Sequence, residues 1–263
     1  MWDPEGEDPR PVMLHRKMWE WLYIAEALSE RGMLQPGRRG LGFGVGREPL
    51  VAAFAATGCR VVATDLQPDR AREAGWTDTG DEYSGGLDGL NGHGLCPPEE
   101  FGQRVEYRHV DMNRIPADLR GFDFTWSSCA FEHLGDLDAG LAFVENQLAC
   151  LAPGGVAVHT TELNLSSDDD TVAAGPTVLF RRRDLRELAR RLQRSGYRID
   201  LDLTEGDTPQ DRHVDAPPFS DLHLRTTLGE FVTTSVGLIV EKPADAVEEP
   251  VGGRRRRSWF RRG

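Results

Sequence analysis

The chain has 263 residues, 39% of them hydrophobic, and a net charge of -12. That is enough apolar material for one cored domain with an appendage. The acidic excess excludes a nucleic-acid groove over the main domain, because phosphate binding needs a basic surface, and no apolar run is long enough to span a membrane as a helix.

The first residues, Met1-Trp2-Asp3-Pro4-Glu5, are acidic and lack the pattern of a secretory leader. Cys59, Cys96, Cys129 and Cys150 are widely spaced, with no C-x-x-C. The expectation is therefore a cytoplasmic protein with reduced thiols, without a zinc site or a disulfide framework. Met13 to Leu34 reads as an amphipathic helix: Met18, Leu22, Ala25 and Leu28 recur at helical spacing, and Gly32 and Pro36-Gly37 end it. Arg39 to Phe43 is a short strand leading into Gly40-Leu41-Gly42-Phe43-Gly44-Val45-Gly46. A helix from Pro49 follows and stops at Gly58, and Cys59 to Thr64 is the second strand, closed by Asp65. Strand, glycine turn, helix, strand, acid is the order of a nucleoside-binding crossover. Glycines let the backbone pass close to a ligand, and the acid can accept from ribose hydroxyls.

Gln67 to Arg104 is long and rich in Gly, Asp and Asn, and reads as a functional loop. Val105 to Val110 alternates as a strand and reaches Asp111-Met112. Phe122 to Ser128 is the fourth strand. Leu137 to Leu151 is a helix, with Leu137, Leu141, Val144, Leu148 and Leu151 stepping by four and three. Pro153-Gly154-Gly155 turns into the strand Val156 to Glu162. Arg183-Asp184 opens a helix carrying Leu185, Leu188 and Leu192, and Tyr197 to Leu203 and Phe231 to Val240 are the last strands. Strands alternating with helices predict an α/β fold, a doubly wound parallel sheet, with Phe231 to Val240 inserted antiparallel because no helix precedes it.

Three motifs narrow this further. Gly42, Gly44 and Gly46 give G-x-G-x-G, not the dinucleotide spacing G-x-G-x-x-G. Phe122-Asp123 runs through Ser127 and Ser128 to Glu132-His133-Leu134, and Leu151 stands before Pro153-Gly154-Gly155. Together they resemble the class I S-adenosylmethionine-dependent methyltransferases of the small-molecule and sugar type, over about Pro36 to Lys242. The resemblance implies a Rossmann-like, seven-stranded, mostly parallel sheet with an antiparallel last strand. It implies S-adenosylmethionine held by Gly42, Phe43, Gly44 and Gly46, its ribose at Asp65 and Leu66, its adenine at Asp111 and Met112, and its sulfonium near Ser127 and Ser128. An acidic body does not oppose a cationic cofactor. The family usually carries an acid two residues before the first of these glycines. Here that residue is Gly40, and Arg47 and Glu48 stand just past the loop as substitutes. The division that follows is a helical cap over 1–38, the methyltransferase domain over 39–242, and a linker with a basic tail over 243–263.

A hydroxyl acceptor must lose a proton. The candidates are His159, Glu162 and His213, with His133 a lesser one, since the Glu-His pair of the family usually holds local structure. Thr204 to Glu230 and Gln67 to Arg104 are the expected acceptor loops. Glu162, Asn164 and Asp168 to Asp170 include enough oxygens for a divalent ion, but their spacing gives no support and no metal is expected. Two other readings stay open: a non-catalytic S-adenosylmethionine-binding module and a nicotinamide-dependent oxidoreductase. The acceptor and the oligomeric state are not legible. Arg254 to Arg257, Trp259-Phe260 and Arg261-Arg262 form a tail that could bind an anionic surface or nothing.

Overall fold

The structure is a computed structural model and describes residues 14–78, 83–219 and 222–245. The acidic first residues and the arginine tail lie outside that range. A sheet of nine strands runs through the centre: β1 (Arg39–Phe43), β2 (Arg60–Asp65), β3 (Val105–His109), β4 (Phe122–Ser128), β5 (Leu151–Asn164), β6 (Arg198–Asp200), β7 (Val214–Asp215), β8 (Arg225–Leu228) and β9 (Phe231–Glu241). Their order is β7-β8-β9-β5-β4-β1-β2-β3, with β6 also paired to β9. β1 to β5 run parallel to one another, and β9 is antiparallel to β5, β6 and β8. The seven expected strands are all present. The two additional ones, β7 and β8, come from the Thr204 to Glu230 insertion. Because β6 and β5 are both antiparallel to β9, they point the same way, and the insertion leaves β6 at the end where β1, β2, β4 and β5 finish.

The helices are α1 (Arg16–Glu30), α2 (Leu50–Ala56), α3 (Pro68–Glu73), α4 (Pro98–Arg104), α5 (Leu137–Gln147) and α6 (Arg182–Arg194). The sheet is apolar on both faces. Phe43, Phe122, Leu163, Leu238 and Val240 pack beneath α5 and α6. Phe124, Trp126, Val156, Val158 and Ile239 pack with Ile24 and Leu28 of α1, Phe54 of α2 and Phe101 of α4. Phe54 meets Trp126 edge-on at 5.0 Å, a favourable aromatic geometry.

Two expectations are corrected here. Gln67 to Arg104 is not one long loop: α3 and α4 lie inside it. Pro98 at the first turn, Glu99 and Glu100 after it, and a Glu100–Arg104 ion pair four residues apart are an ordinary helix start and brace. The apolar stripe expected on α1 holds only in its second half: Leu28 is buried and Ala25 packs against the core, but Met18 and Leu22 are turned outward. Met18 is 44% and Leu22 67% exposed, whereas Glu20, Ile24, Ala27 and Leu28 are buried.

The seat of α1 is set by one glycine. A Cβ on Gly237 of β9 would stand 2.1 Å from the Tyr23 ring, so the ring packs where a side chain would begin. Gly237→Val is expected to lower stability by about 1–3 kcal/mol, the usual penalty for overpacking, as read by urea denaturation. A neutral result would show that Tyr23 swings aside freely.

Candidate functional site

The chain reverses its direction of growth across the sheet between β1 and β4, and the crevice at their carboxyl ends is where open α/β sheets take ligands. After β1 the backbone enters left-handed conformations at Gly44 (φ +58°) and Gly46 (φ +51°), which glycine adopts without steric cost. Val45 N donates to Thr64 O at 3.1 Å, and Thr64 Oγ1 donates to Gly42 O at 2.7 Å, so the loop is tied to the end of β2. A Cβ on Gly44 would lie 3.0 Å from Ala130 Cβ and 3.5 Å from Met112 Sδ. The glycine loop, the end of β3 and the end of β4 therefore converge on one point. Gly40 could not carry the acid expected there, since its Cβ would lie 2.4 Å from the Phe124 ring.

Asp65 ends β2 and is buried. Its Oδ1 accepts from Leu66 N at 2.8 Å; its Oδ2 accepts from Gly46 N at 3.2 Å and from Ser84 Oγ at 3.3 Å. Burial raises the carboxyl pKa, and the N–H donors of Leu66, Ser84 and Gly46 partly offset that. Ser84 Oγ also contacts Tyr107 Oη at 3.3 Å, and Tyr83 Oη donates to Leu66 O at 3.1 Å. Asp111 caps the turn that follows it by accepting from Asn113 N at 2.9 Å, and Met112 is buried beside it.

Ser127 and Ser128 face opposite sides of β4. Ser127 Oγ pairs with His159 Nδ1 at 2.8 Å on the α5 side. Ser128 Oγ donates to Glu20 Oε2 of α1 at 3.1 Å. Cys129 then takes φ +43°, an uncommon conformation for a residue with a side chain. Around it, the first turns of α1 bring charges into the sheet end. Arg16 pairs with Glu162 at 2.5 Å, and Lys17 with Glu48 at 3.1 Å and Glu20 at 3.2 Å. Burial alone would lower the Lys17 ammonium, but Glu48 and Glu20 outweigh it and hold it well above the usual range. Burial would raise Glu20, and Lys17 with the Ser235 hydroxyl brings it below the usual range instead. Glu132 is raised by burial; Oε2 accepts from Thr161 Oγ1 at 3.0 Å, while Oε1 has no partner among the described residues.

The three proposed proton acceptors do not come together. Glu162 lies in the cluster just described, accepting also from Thr233 Oγ1 at 2.8 Å. His159 is fully buried, with Phe131 and Phe143 packed edge-on against its ring. Burial lowers its pKa to about 3, so it stays neutral within the core and lies on the far face from the Arg16–Glu162 pair. His213 is exposed, just past the short turn Pro209–Arg212. His133 holds local structure, its Nδ1 at 2.9 Å from Pro176 O. Asn164 accepts from Ser166 and Ser167 N, and Asp168 and Asp169 engage Arg183. The insertion does supply a histidine to the rim: His223 Nδ1 lies 2.6 Å from Asp215 Oδ2, and its ring stacks on His15 at 4.8 Å.

No protein-family model matches the chain, and no curated protein matches it by sequence. Solved structures do match it. The methyltransferase domain of bacterial CtHen1-CN is 10% identical, with TM-score 0.52, over 86% of this chain and 100% of that one. Magnesium protoporphyrin IX methyltransferase of Synechocystis PCC 6803, solved with bound SAH, is 12% identical, with TM-score 0.50, over 85% and 82%. A possible exported protein from Bordetella parapertussis is 15% identical, with TM-score 0.55, over 93% and 77%. The chain has the class I methyltransferase fold.

Within this methyltransferase fold, Arg16, Lys17, Glu20 and Ser84 lie at the candidate site, and sequence reasoning did not single them out. The first three belong to no motif, and it is their contacts with Ser128, Glu48 and Glu162 that bring them to the sheet end. Ser84 sat within a segment read as acceptor loop. Nothing in its neighbours marks it as a partner for Asp65. Among the described residues no helix is long and apolar enough to cross a membrane.

Proposed function

We propose that the protein transfers a methyl group from S-adenosylmethionine to a hydroxyl or amine of a small-molecule or sugar acceptor. The observation that carries this reading is Asp65: a buried carboxylate at the end of β2, held by Gly46 N–H beside two left-handed glycines, and already accepting from a hydroxyl. That donor set fits the cofactor. Gly42, Phe43, Gly44 and Gly46 would let it approach the backbone, Asp65 and Leu66 would hold ribose, Asp111 and Met112 adenine, and Ser128 would lie towards the sulfonium. The cofactor supplies an activated methyl group, and this chain aligns the acceptor and excludes water. The charged cluster under α1 supports a polar acceptor at the ends of β4 and β5, with 1–38 as its cap. The four cysteines are free thiols, which supports a cytoplasmic setting.

Calorimetry with S-adenosylmethionine is expected to show binding that Asp65→Ala weakens by about 1–3 kcal/mol, the scale of hydrogen bonds to a charged group. Tight binding of a nicotinamide dinucleotide, with none of S-adenosylmethionine, would overturn the reading.

A further inference from the structure

We propose that His223, oriented by Asp215, is the proton acceptor for the methyl acceptor; this rests on the methyl-transfer reading above. Asp215 is 3% exposed, and a carboxylate there can only accept. At 2.6 Å from Asp215 Oδ2, His223 Nδ1 is therefore the N–H donor. In the neutral ring Nε2 then carries the lone pair, and it has no hydrogen-bond partner among the described residues. A carboxylate fixing the far nitrogen of an imidazole, so that the near one can take a proton, is how a neutral histidine is prepared as a base.

The insertion places this pair beside the crevice. Asp215 lies on β7 and pairs with Thr226 of β8, and β8 is hydrogen-bonded along the start of β9. The stack of His223 on His15 brings it to the N-terminus of α1. His15 Nδ1 accepts from Lys17 N at 3.1 Å, so His15 is fixed as well. The next two residues, Arg16 and Lys17, reach Glu162 and the Ser128 carbonyl at the ends of β5 and β4. Phe219 closes on the His223 ring edge-on at 5.1 Å. His159, the alternative base, is sealed on the other face of the sheet, and His213 has no orienting acid among its described contacts.

In the step this assigns, the O–H or N–H bond of the acceptor breaks and its electron pair forms the bond to the methyl carbon. The pair of the old methyl–sulfur bond stays on sulfur, and the proton moves to His223 Nε2. His223 is the catalytic residue of the step, and Asp215 positions it.

Long-range 1H–15N spectra of the full chain test the first half without any acceptor. His223 is expected as the Nδ1–H tautomer, and Asp215→Asn is expected to shift it towards Nε2–H. A wild-type protein with His223 as the Nε2–H tautomer overturns the proposal. The second half is read with S-adenosylmethionine and catechol, glycine or a hexose as probe acceptors. His223→Gln is expected to lower kcat by about 10²–10⁴-fold, the usual contribution of a positioned base, with KM and S-adenosylhomocysteine affinity within about two-fold of wild type. A pair that only staples the insertion to α1 would lower the melting temperature and spare kcat, and that result also overturns it. If His223→Gln does not fold, Asp215→Asn carries the same kcat test. Where no probe is methylated, an Nε2–H tautomer in the wild type still overturns the proposal. Failure of the wild type to bind S-adenosylhomocysteine would instead sink the methyl-transfer reading, leaving the His223 tautomer as a separate result.

Discussion

Acidification from pH 6.5 towards 3 is expected to destabilise the wild-type protein more steeply than His159→Gln, by about 1.4 kcal/mol per pH unit. The imidazole lies between Phe131 and Phe143 with no exposed surface, and burial holds its pKa down to about 3. In the unfolded chain the same ring takes a proton near 6.5. Between those values the unfolded state binds one proton more than the native state, so each fall in pH favours unfolding; above 6.5 the difference vanishes. The buried carboxyls of Asp65, Glu48 and Glu132 are raised by burial and act in the opposite sense. They are common to both proteins and cancel in the comparison. Urea denaturation across the pH range gives the two slopes. Parallel slopes, or a His159 resonance titrating above pH 5, would show that the ring is not sealed.

Arg16→Met is expected to cost about 3–5 kcal/mol, as removal of one partner of a buried ion pair does. The Glu162 side chain is only 9% exposed, and without the guanidinium its charge would face the Glu132 carboxyl. Thr233 still donates to Glu162 and the Arg16 side chain is 20% exposed, so the lower end of the range is the better expectation. Arg16→Met with Glu162→Met should recover most of the loss, because the penalty lies in the stranded charge more than in the missing contact. A single-variant loss below about 1 kcal/mol would mean that solvent reaches the pair.

The contrast between these two residues shows what the sequence could convey. Strand positions such as Phe124, Trp126 and Val158 are apolar and regularly spaced, and their period reports the sheet directly. So does the glycine turn, because only a few residues tolerate φ near +55°. His159 has the period of a core residue, yet its side-chain chemistry argued for the crevice; packing against Phe131 and Phe143 decided the matter. On α1 the hydrophobic period placed Leu28 correctly but pointed the wrong way over the first two turns. Met18 and Leu22 are apolar but exposed, and Glu20 is buried, because the sheet end it meets is lined with Ser128 and Ser235. A polar surface selects a polar partner, and no pattern within a single helix can anticipate that. On sequence His213 is a candidate base and His223 is not, although nothing in their neighbours separates them. Only the pairing of β7 with β8 brings Asp215 to one and not the other.

The hydroxyl of Ser84 on Asp65 has a consequence for discrimination between ligands. A nucleoside that places a ribose hydroxyl on Oδ2 exchanges one hydrogen bond for another of the same kind and adds little net bonding there. The loss on Asp65→Ala should therefore fall towards the lower end of its range. A 2′,3′-dideoxy analogue faces a different choice. It must either fit around Ser84 or evict it and leave a buried carboxylate oxygen short of a donor, which costs about 1–3 kcal/mol or more. Asp65 would then act chiefly as a filter for the sugar, setting which nucleosides are refused more than how tightly the right one is held.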